Sequence, residues 1–546
     1  ARALGLTPSP PRPRRLPPEP ASGWLPWAVV LLGLLVRHAC SLHPYSGENS
    51  PPKYGDYEAH RHWMELTLHL PLAQWYTYQT DYWGLDYPPL MAYVERGLGL
   101  VSHWYDPVSV ALDASRGYEG HRAFMRGSVL IMDALVAVSA FVALAWKLER
   151  SPKRRALLIA LCLLAPAPIL VDHGHFQYNC LPLGLTLWSA LFVEDRPYLA
   201  SFLFTLALHT KQTALYYAPA VFCELLGRTQ FKIKRIAGLG AVVLLTTLLI
   251  WLPLLHAGAA LPALRRCFPV ARGVFEDKVG NAWYAAQVFL RMRDRCSQET
   301  LIKLAALFTC LACFVPCGLR CRRLLRKGDR SLPNVLRSLH VSALAFFLFS
   351  YHVHEKGILV PLYPLLPLSL LEREYLAAFS LLAGFTLPGF LSLRTLFAKV
   401  VGLKQLTEDE ERDPADVINV LQLIFDQFDL LADTFKVQKV RKTVNEYYMT
   451  AAGLPDRELI GGEQERAKAT AALAFAMVHI MDIINMELQQ HGIHTDPPLQ
   501  LQIGINTGTA IAGVIGHKRF QYDLCGDAVN TARRSKCSLG KCSIRP

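Results

Sequence analysis

Six polar clusters interrupt an otherwise apolar chain: GDYEAHRHW (55–63), WGLDYPP (83–89), VDHGHFQYN (171–179), HTKQ (209–212), FEDKVGNAW (275–283) and HVHEK (352–356). Ionisable groups are costly at membrane depth, so a set of them converging on one face marks a functional site. The stretch 42–126 holds the ingredients of group transfer to a sugar hydroxyl. Asp56 and Glu58 are carboxylates able to take a proton from the acceptor. Arg61 and His62 are cationic groups suited to an anionic leaving group. Trp63, Trp75, Tyr76, Tyr82 and Trp83 offer aromatic faces for sugar rings. Plainer roles stay open. Such aromatics also form interfacial belts, and Asp56, following Gly55, also suits a helix N-cap.

The elements that must position these residues are membrane helices. The chain has 546 residues, 52% hydrophobic and only 18% charged, with a mean hydropathy of +0.22. That is too apolar for an ordinary soluble protein and too long for one soluble domain. The net charge of +13 comes from short basic runs between apolar segments. This pattern orients a membrane protein and argues against nucleic acid as a partner. Apolar segments lie at 24–41, 127–146, 155–171, 178–193, 197–208, 213–226, 236–256, 300–317, 338–351, 357–371 and 376–393, which predicts about eleven spans, several of them short, broken or re-entrant. Residues 1–23, rich in Pro and Arg, are expected to be a disordered cytosolic N-terminus, and 24–36 a signal anchor.

Positive-inside counting puts Arg12, Arg14, Arg15, Lys147, Lys153–Arg155, Lys232–Arg235 and the basic loop Arg320–Lys327 in the cytosol. The alternate loops, 42–126, 172–177, 209–212, 257–299 and 352–356, are then lumenal, and they carry the polar clusters. The lumen lacks a ready supply of nucleotide sugars, so an enzyme there needs a lipid-carried donor. The cysteines show no paired framework. Cys310, Cys313, Cys317 and Cys321 read as a helical stripe rather than a metal site, and Cys267 and Cys296 share a loop in which a disulfide is open.

The ordered segments GDYEAHRHWMELT, QWYTYQTDYWGLDYPPLMAY, SRGYEGHRAFMR, DHGHFQYN, CFPVARGVFEDKVGNAW and FLFSYHVHEKGIL resemble the endoplasmic-reticulum glucosyltransferases of asparagine-linked glycosylation. These are polytopic α-helical enzymes of the GT-C fold. WGLDYPP and FPVARGVFEDKV resemble the branch that adds the first glucose more than its second-glucose sister. The resemblance implies an inverting, metal-independent transfer, with no cofactor. Glucose passes from β-linked dolichyl-phosphate glucose to a mannose 3-hydroxyl of the dolichol-linked oligosaccharide. It implies Asp56 as general base, with Asp86 as second candidate. Pro88 and Pro89 force an extended segment that could equally make Asp86 structural. Lys211, His354, Glu355 and Lys356 are expected near the donor phosphate. Glu58, Arg61, His62, Trp63 and Trp83 complete the expected donor and sugar contacts. His352 and His354 also suit a membrane-surface position.

Composition changes near residue 395. An acidic run, 407–416, precedes Val417, Val420, Leu421, Leu423, Ile424 and Phe428 at helical spacing. The sequence over 396–534 resembles class III nucleotide cyclases, an α/β ferredoxin-like fold, and the resemblance is expected to stop there, inside the family's pattern; 535–546 is unassigned. The resemblance puts Lys399 where a metal-binding aspartate belongs, and Glu446 at the second metal position. Lys442 and Asp523 fall at purine-selecting positions, and Asn530 and Arg534 at residues that steady the transition state. Asn506 replaces the usual His. A lysine repels Mg²⁺, so cyclisation is not expected; a degenerate domain, or a pairing partner for a second cyclase-type domain, is the alternative. The expected domains are thus 24–393 and 394–534. If 376–393 spans the membrane, residue 395 onward is lumenal. Either that segment is not a complete span, or the two halves are a fusion, such as a misjoined gene model, rather than one natural polypeptide. A membrane-anchored cyclase-type signalling protein is the competing reading.

Overall fold

The computed structural model describes residues 23–525 except 49–51, 79–81, 119, 269–278, 280, 291, 372–391, 404–413, 443–446, 453–462, 492, 494, 496, 510 and 516–520. The chain divides into two compact units, Ala1–Ala383 and Gly384–Pro546.

The first unit is helical. α1 (Leu25–Ser41) starts at a proline in its first turn, where the missing N–H costs nothing. α2 (Gly55–His69) and α3 (Pro89–Tyr105) follow. α4 (Arg122–Leu148) crosses a π-turn at Ala134–Val138, where Gly184 packs so closely that a Cβ there would meet the Ala137 backbone at 2.8 Å. α5 (Pro152–Leu163) and α6 (Pro166–Phe176) form one apolar pair bent by 45° at the prolines. α7 (Cys180–Phe192), α8 (Pro197–Thr210), α9 (Ala218–Thr229), α10 (Ile233–His256), α11 (Gln298–Lys327) and α12 (Leu332–Phe349) complete the bundle.

Among the described residues, five helices are long and apolar enough to cross a membrane, or six if the bent pair counts as one span. About eleven were expected. The difference comes from helices of 10–17 residues, such as α1 and α7, and from apolar stretches broken into short turns. The expected span 357–371 is a short helix, Leu359–Leu365, between two 3₁₀ turns, interrupted by Pro361, Pro364 and Pro367. The expected span 376–393 lies almost wholly outside the described residues. Glu465–Gln490 also passes the length test, yet Leu473, Met477, Met481, Ile484 and Leu488 bury one stripe of it in the core of the second unit. We read it as a core helix of that unit.

The second unit runs β1 (Ser392–Val401), α13 (Pro414–Thr434), β2 (Gln438–Lys442), β3 (Tyr447–Ala452), α14 (Glu463–Gln490) and β4 (Gln500–Thr509). The strands order β2-β3-β1-β4, all antiparallel, with β5 (Ile511–Ile515) and β6 (Gln521–Cys525) as a separate pair. This βαββαβ order is the ferredoxin-like arrangement. Val420, Ile424 and Phe428 are buried, with Val417, Leu421 and Leu423 packed beside them, as their spacing requires.

Candidate active site

Asp56 sits in the first turn of α2. The helix is entered through two residues at positive φ, Tyr54 (+55°) and Gly55 (+74°), and Tyr54 occupies the cap position. Asp56 is therefore not the N-cap. Its Oδ2 instead accepts from His175 Nε2 at 2.9 Å, from the Gln177 carboxamide and from the Lys356 ammonium. These partners lie 119, 121 and 300 residues away in the chain. The side chain stays 22% exposed and that of Lys356 24% exposed, enough for a substrate to reach both. Burial opposes ionisation of Asp56, but Lys356 and the His175 hydrogen bond outweigh it and hold the carboxyl well below the usual range.

Lys211 lies just past the end of α8. Its Nζ donates to Gln177 Oε1 at 3.0 Å and Asn179 Oδ1 at 2.7 Å, and sits 4.8 Å from the Tyr87 ring centre. Burial, with help from the Lys356 charge, pushes its pKa below that of an ordinary lysine, while Asp172, Asp56 and Asp86 oppose the shift. Tyr87 donates to Gln177 Oε1 at 2.9 Å. Asp86 lies in the extended segment before α3 and adds negative charge beside Lys211 and Arg266. Arg266 packs over Gly84, its guanidinium occupying the space a Cβ there would take.

Other expected ligands point elsewhere. Glu58, Arg61 and His62 are 0–1% exposed, so no sugar or phosphate reaches them in this arrangement. Arg61 donates to both oxygens of Glu58 (2.7 and 2.6 Å), to Glu65, to Ser115 Oγ (2.7 Å) and to the Ser109 carbonyl (2.8 Å). Tyr82 donates to Glu58 at 2.7 Å, and His62 pairs with Glu65 at 2.7 Å. These residues lock the loop rather than bind donor. At about 100° per residue, positions 58, 61, 62 and 65 fall on the face of α2 opposite Asp56, a signal the sequence already held. Trp63 is buried and donates to the Trp83 carbonyl at 2.9 Å, so it fastens the Trp83 segment. Trp83 carries Lys53 5.3 Å from its ring. His354 and Glu355 are exposed; His354 lies 4.9 Å from His352, edge to face. Of the HVHEK cluster, it is Lys356 that joins Asp56.

His175 and Gln177 were not singled out from the sequence, although VDHGHFQYN was. They reach Asp56 because the helix stops at Phe176, which takes φ +87° with its side chain fully buried. Such a conformation costs a bulky residue roughly 1–3 kcal/mol. Contacts with Tyr57 at 5.0 Å and Tyr178 at 5.6 Å hold it there. Beneath the site, Arg37 donates to Asp133 at 2.7 Å and His173 pairs with the same oxygen at 2.8 Å, all three nearly water-free.

Among the described residues, no three His, Cys, Asp or Glu side chains gather as a metal site. Cys267 and Cys296 are free thiols, and Cys310, Cys313, Cys317 and Cys321 are free thiols on α11. The segment 269–278, with the first four residues of FEDKVGNAW, lies outside the described residues, as does Gly280. In the second unit, Lys399 pairs across the sheet with Tyr447 and sits 5.6 Å from its ring. Where the cyclase resemblance expects a metal carboxylate, this ammonium does not fit Mg²⁺. Glu446, Asn530 and Arg534 lie outside the described residues, while Lys442 ends β2 and Asp523 lies in β6 opposite Gly513.

Residues 29–403 match the family described as the ALG6, ALG8 glycosyltransferase family. Residues 390–543 match the adenylate and guanylate cyclase catalytic domain, which reaches past Arg534 into the tail left unassigned from sequence. The chain is 44% identical over 376 residues to the mouse (Mus musculus) dolichyl pyrophosphate Man9GlcNAc2 alpha-1,3-glucosyltransferase, covering 66% of this chain and 73% of that protein. It is 41% identical to the protein of the same name from Saccharomyces cerevisiae over 360 residues, 63% of this chain and 65% of that one. The adenylyl cyclase CyaB of P. aeruginosa aligns at 23% identity and a TM-score of 0.25, over 27% of this chain and 73% of that structure.

Proposed function

The chain belongs to the ALG6, ALG8 glycosyltransferase family, and we propose that it adds the first glucose to the dolichol-linked high-mannose oligosaccharide. The donor is dolichyl-phosphate glucose, and the product bond is α-1,3 to a mannose. The reaction takes place on the lumenal side of the endoplasmic-reticulum membrane. The names of the relatives and the six ordered motifs support this reading.

The observation that carries the mechanism is one partly exposed carboxylate, Asp56, held by side chains from distant parts of the chain. Asp56 takes the proton from the mannose 3-hydroxyl as that oxygen attacks the anomeric carbon of glucose. The bond to the phosphate oxygen breaks on the opposite face, so the β-linked donor gives an α product. Lys356 and Lys211 supply positive charge for the dolichyl-phosphate leaving group. Tyr87 and Trp83 border the sugar path. No cofactor or metal takes part in this scheme. The second unit, with Lys399 in place of a metal carboxylate, acts as a pairing module for a second cyclase-type domain rather than as a catalyst.

Complementation of cells lacking the first glucosyltransferase tests the proposal. The full chain should restore singly glucosylated lipid-linked oligosaccharide, and Asp56→Asn should not. Failure of the full chain, expressed and membrane-inserted, to yield that product would refute the assignment.

A further inference from the structure

Gln177 lies between the two charged poles of the site. Its Oε1 accepts from Lys211 Nζ at 3.0 Å and from the Tyr87 hydroxyl at 2.9 Å. Two donors aimed at one end of a carboxamide identify that end as the oxygen. The NH₂ group therefore faces Asp56 Oδ2, to which it donates. The amide dipole is aligned with the field, oxygen toward the cation and NH₂ toward the anion. The side chain is also well buried, so water does not replace these bonds.

We propose that Gln177 is a positioning residue for glucosyl transfer, holding the base Asp56 and the phosphate-facing Lys211 in fixed relation through one carboxamide. This rests on the reading of Asp56 as base. The backbone supports it. Phe176 at φ +87° ends the helix, and Gln177 is fully extended at φ −157°, ψ 162°. The next alternate residue, Asn179, also accepts from Lys211 and donates to Asp172 at 2.8 Å. The charged groups facing Gln177 are Asp56, His175 and Lys356 at its NH₂ end and Lys211 at its oxygen, with Asp172 and Asp86 acting on Lys211.

Two substitutions in the full chain, purified in detergent, test this against pH. Gln177→Leu keeps the bulk and removes all three side-chain hydrogen bonds. It should lower kcat by about 10²-fold, the scale of a small misplacement of reacting groups. It should also narrow the pH window, because Asp56 loses a donor and Lys211 an acceptor. Gln177→Glu is isosteric and should move both limbs of the profile upward. Asp56 then faces a second carboxylate, and Lys211 gains an anion. A residue that merely fills space would alter rate without moving either limb. If Asp56→Asn is inactive while the Gln177→Glu profile superimposes on the parent's, this proposal alone is overturned. If Asp56→Asn retains transfer, the reading of the base falls, and this proposal with it.

Discussion

Replacing Lys356 by Met separates the two tasks assigned to that residue. Its ammonium is the strongest influence lowering the Asp56 pKa, set against burial, which raises it. A unit charge about 4 Å away at an effective dielectric of about 20 is worth roughly 4 kcal/mol. His175 and Gln177 remain bonded to Asp56 and solvent reaches a fifth of the carboxylate, so the acid limb should rise, but by less than full loss of that attraction would give. The sign follows from the direction of the shift: a base whose pKa is depressed stays active down to low pH, and it loses that range when its cation is removed. Loss of one cation facing the leaving phosphate should separately cost about 10²–10³ in kcat, or about 2.7–4 kcal/mol. Purified protein assayed with dolichyl-phosphate glucose and lipid-linked acceptor between pH 4 and 9 reads both effects. Lys356→Arg should recover most of the acid range. A Met variant with the parent's acid limb and an unchanged kcat would refute the placement of Lys356 between base and phosphate.

Other perturbations test separate parts of the structure. Lys211, whose pKa is pushed down to about 8 by burial and the Lys356 charge, should give a basic limb as pH rises past that value, since its cation is then lost. In Lys211→Arg the guanidinium stays charged, and that limb should disappear from the profile. Arg37→Met leaves Asp133 buried without its cation and should cost about 3–5 kcal/mol, seen as a lowered unfolding temperature in detergent; Arg37→Met combined with Asp133→Leu should recover most of it. Lys399→Asp should leave cyclic-nucleotide formation at background with Mg²⁺ present. It restores one metal carboxylate, but Asn506 and the other departures from the cyclase pattern remain; a large gain would show that only this position was missing.

The polar clusters were legible because charge inside an apolar chain is expensive, and positive-inside counting predicts a common side for them. Helical spacing alone told that Val420, Ile424 and Phe428 would be buried. Span number was not legible, since prolines at 361, 364 and 367 and the 45° bend between α5 and α6 break apolar stretches in ways hydropathy does not register. Asp56 was singled out by the family resemblance, its residue type and loop having offered it alongside Glu58. Its partners were not, because His175 and Gln177 reach it only through the positive φ of Phe176, which residue type does not announce. Glu58, Arg61 and His62 were misplaced for the opposite reason: their chemistry suited a donor site, but the periodicity of α2 turns them into the protein.

The central claim is that Asp56 is the base of an inverting transfer from a lipid-linked donor. Its most direct test supplies purified parent and Asp56→Asn proteins with dolichyl-phosphate glucose and dolichol-linked oligosaccharide, and determines the linkage of the product by NMR. The parent should yield one α-1,3-linked glucose. The Asn variant should stay folded and lose about 10²–10⁴ in kcat, the usual worth of a general base. A β-linked product, or an Asn variant turning over at near the parent's rate, would contradict the account.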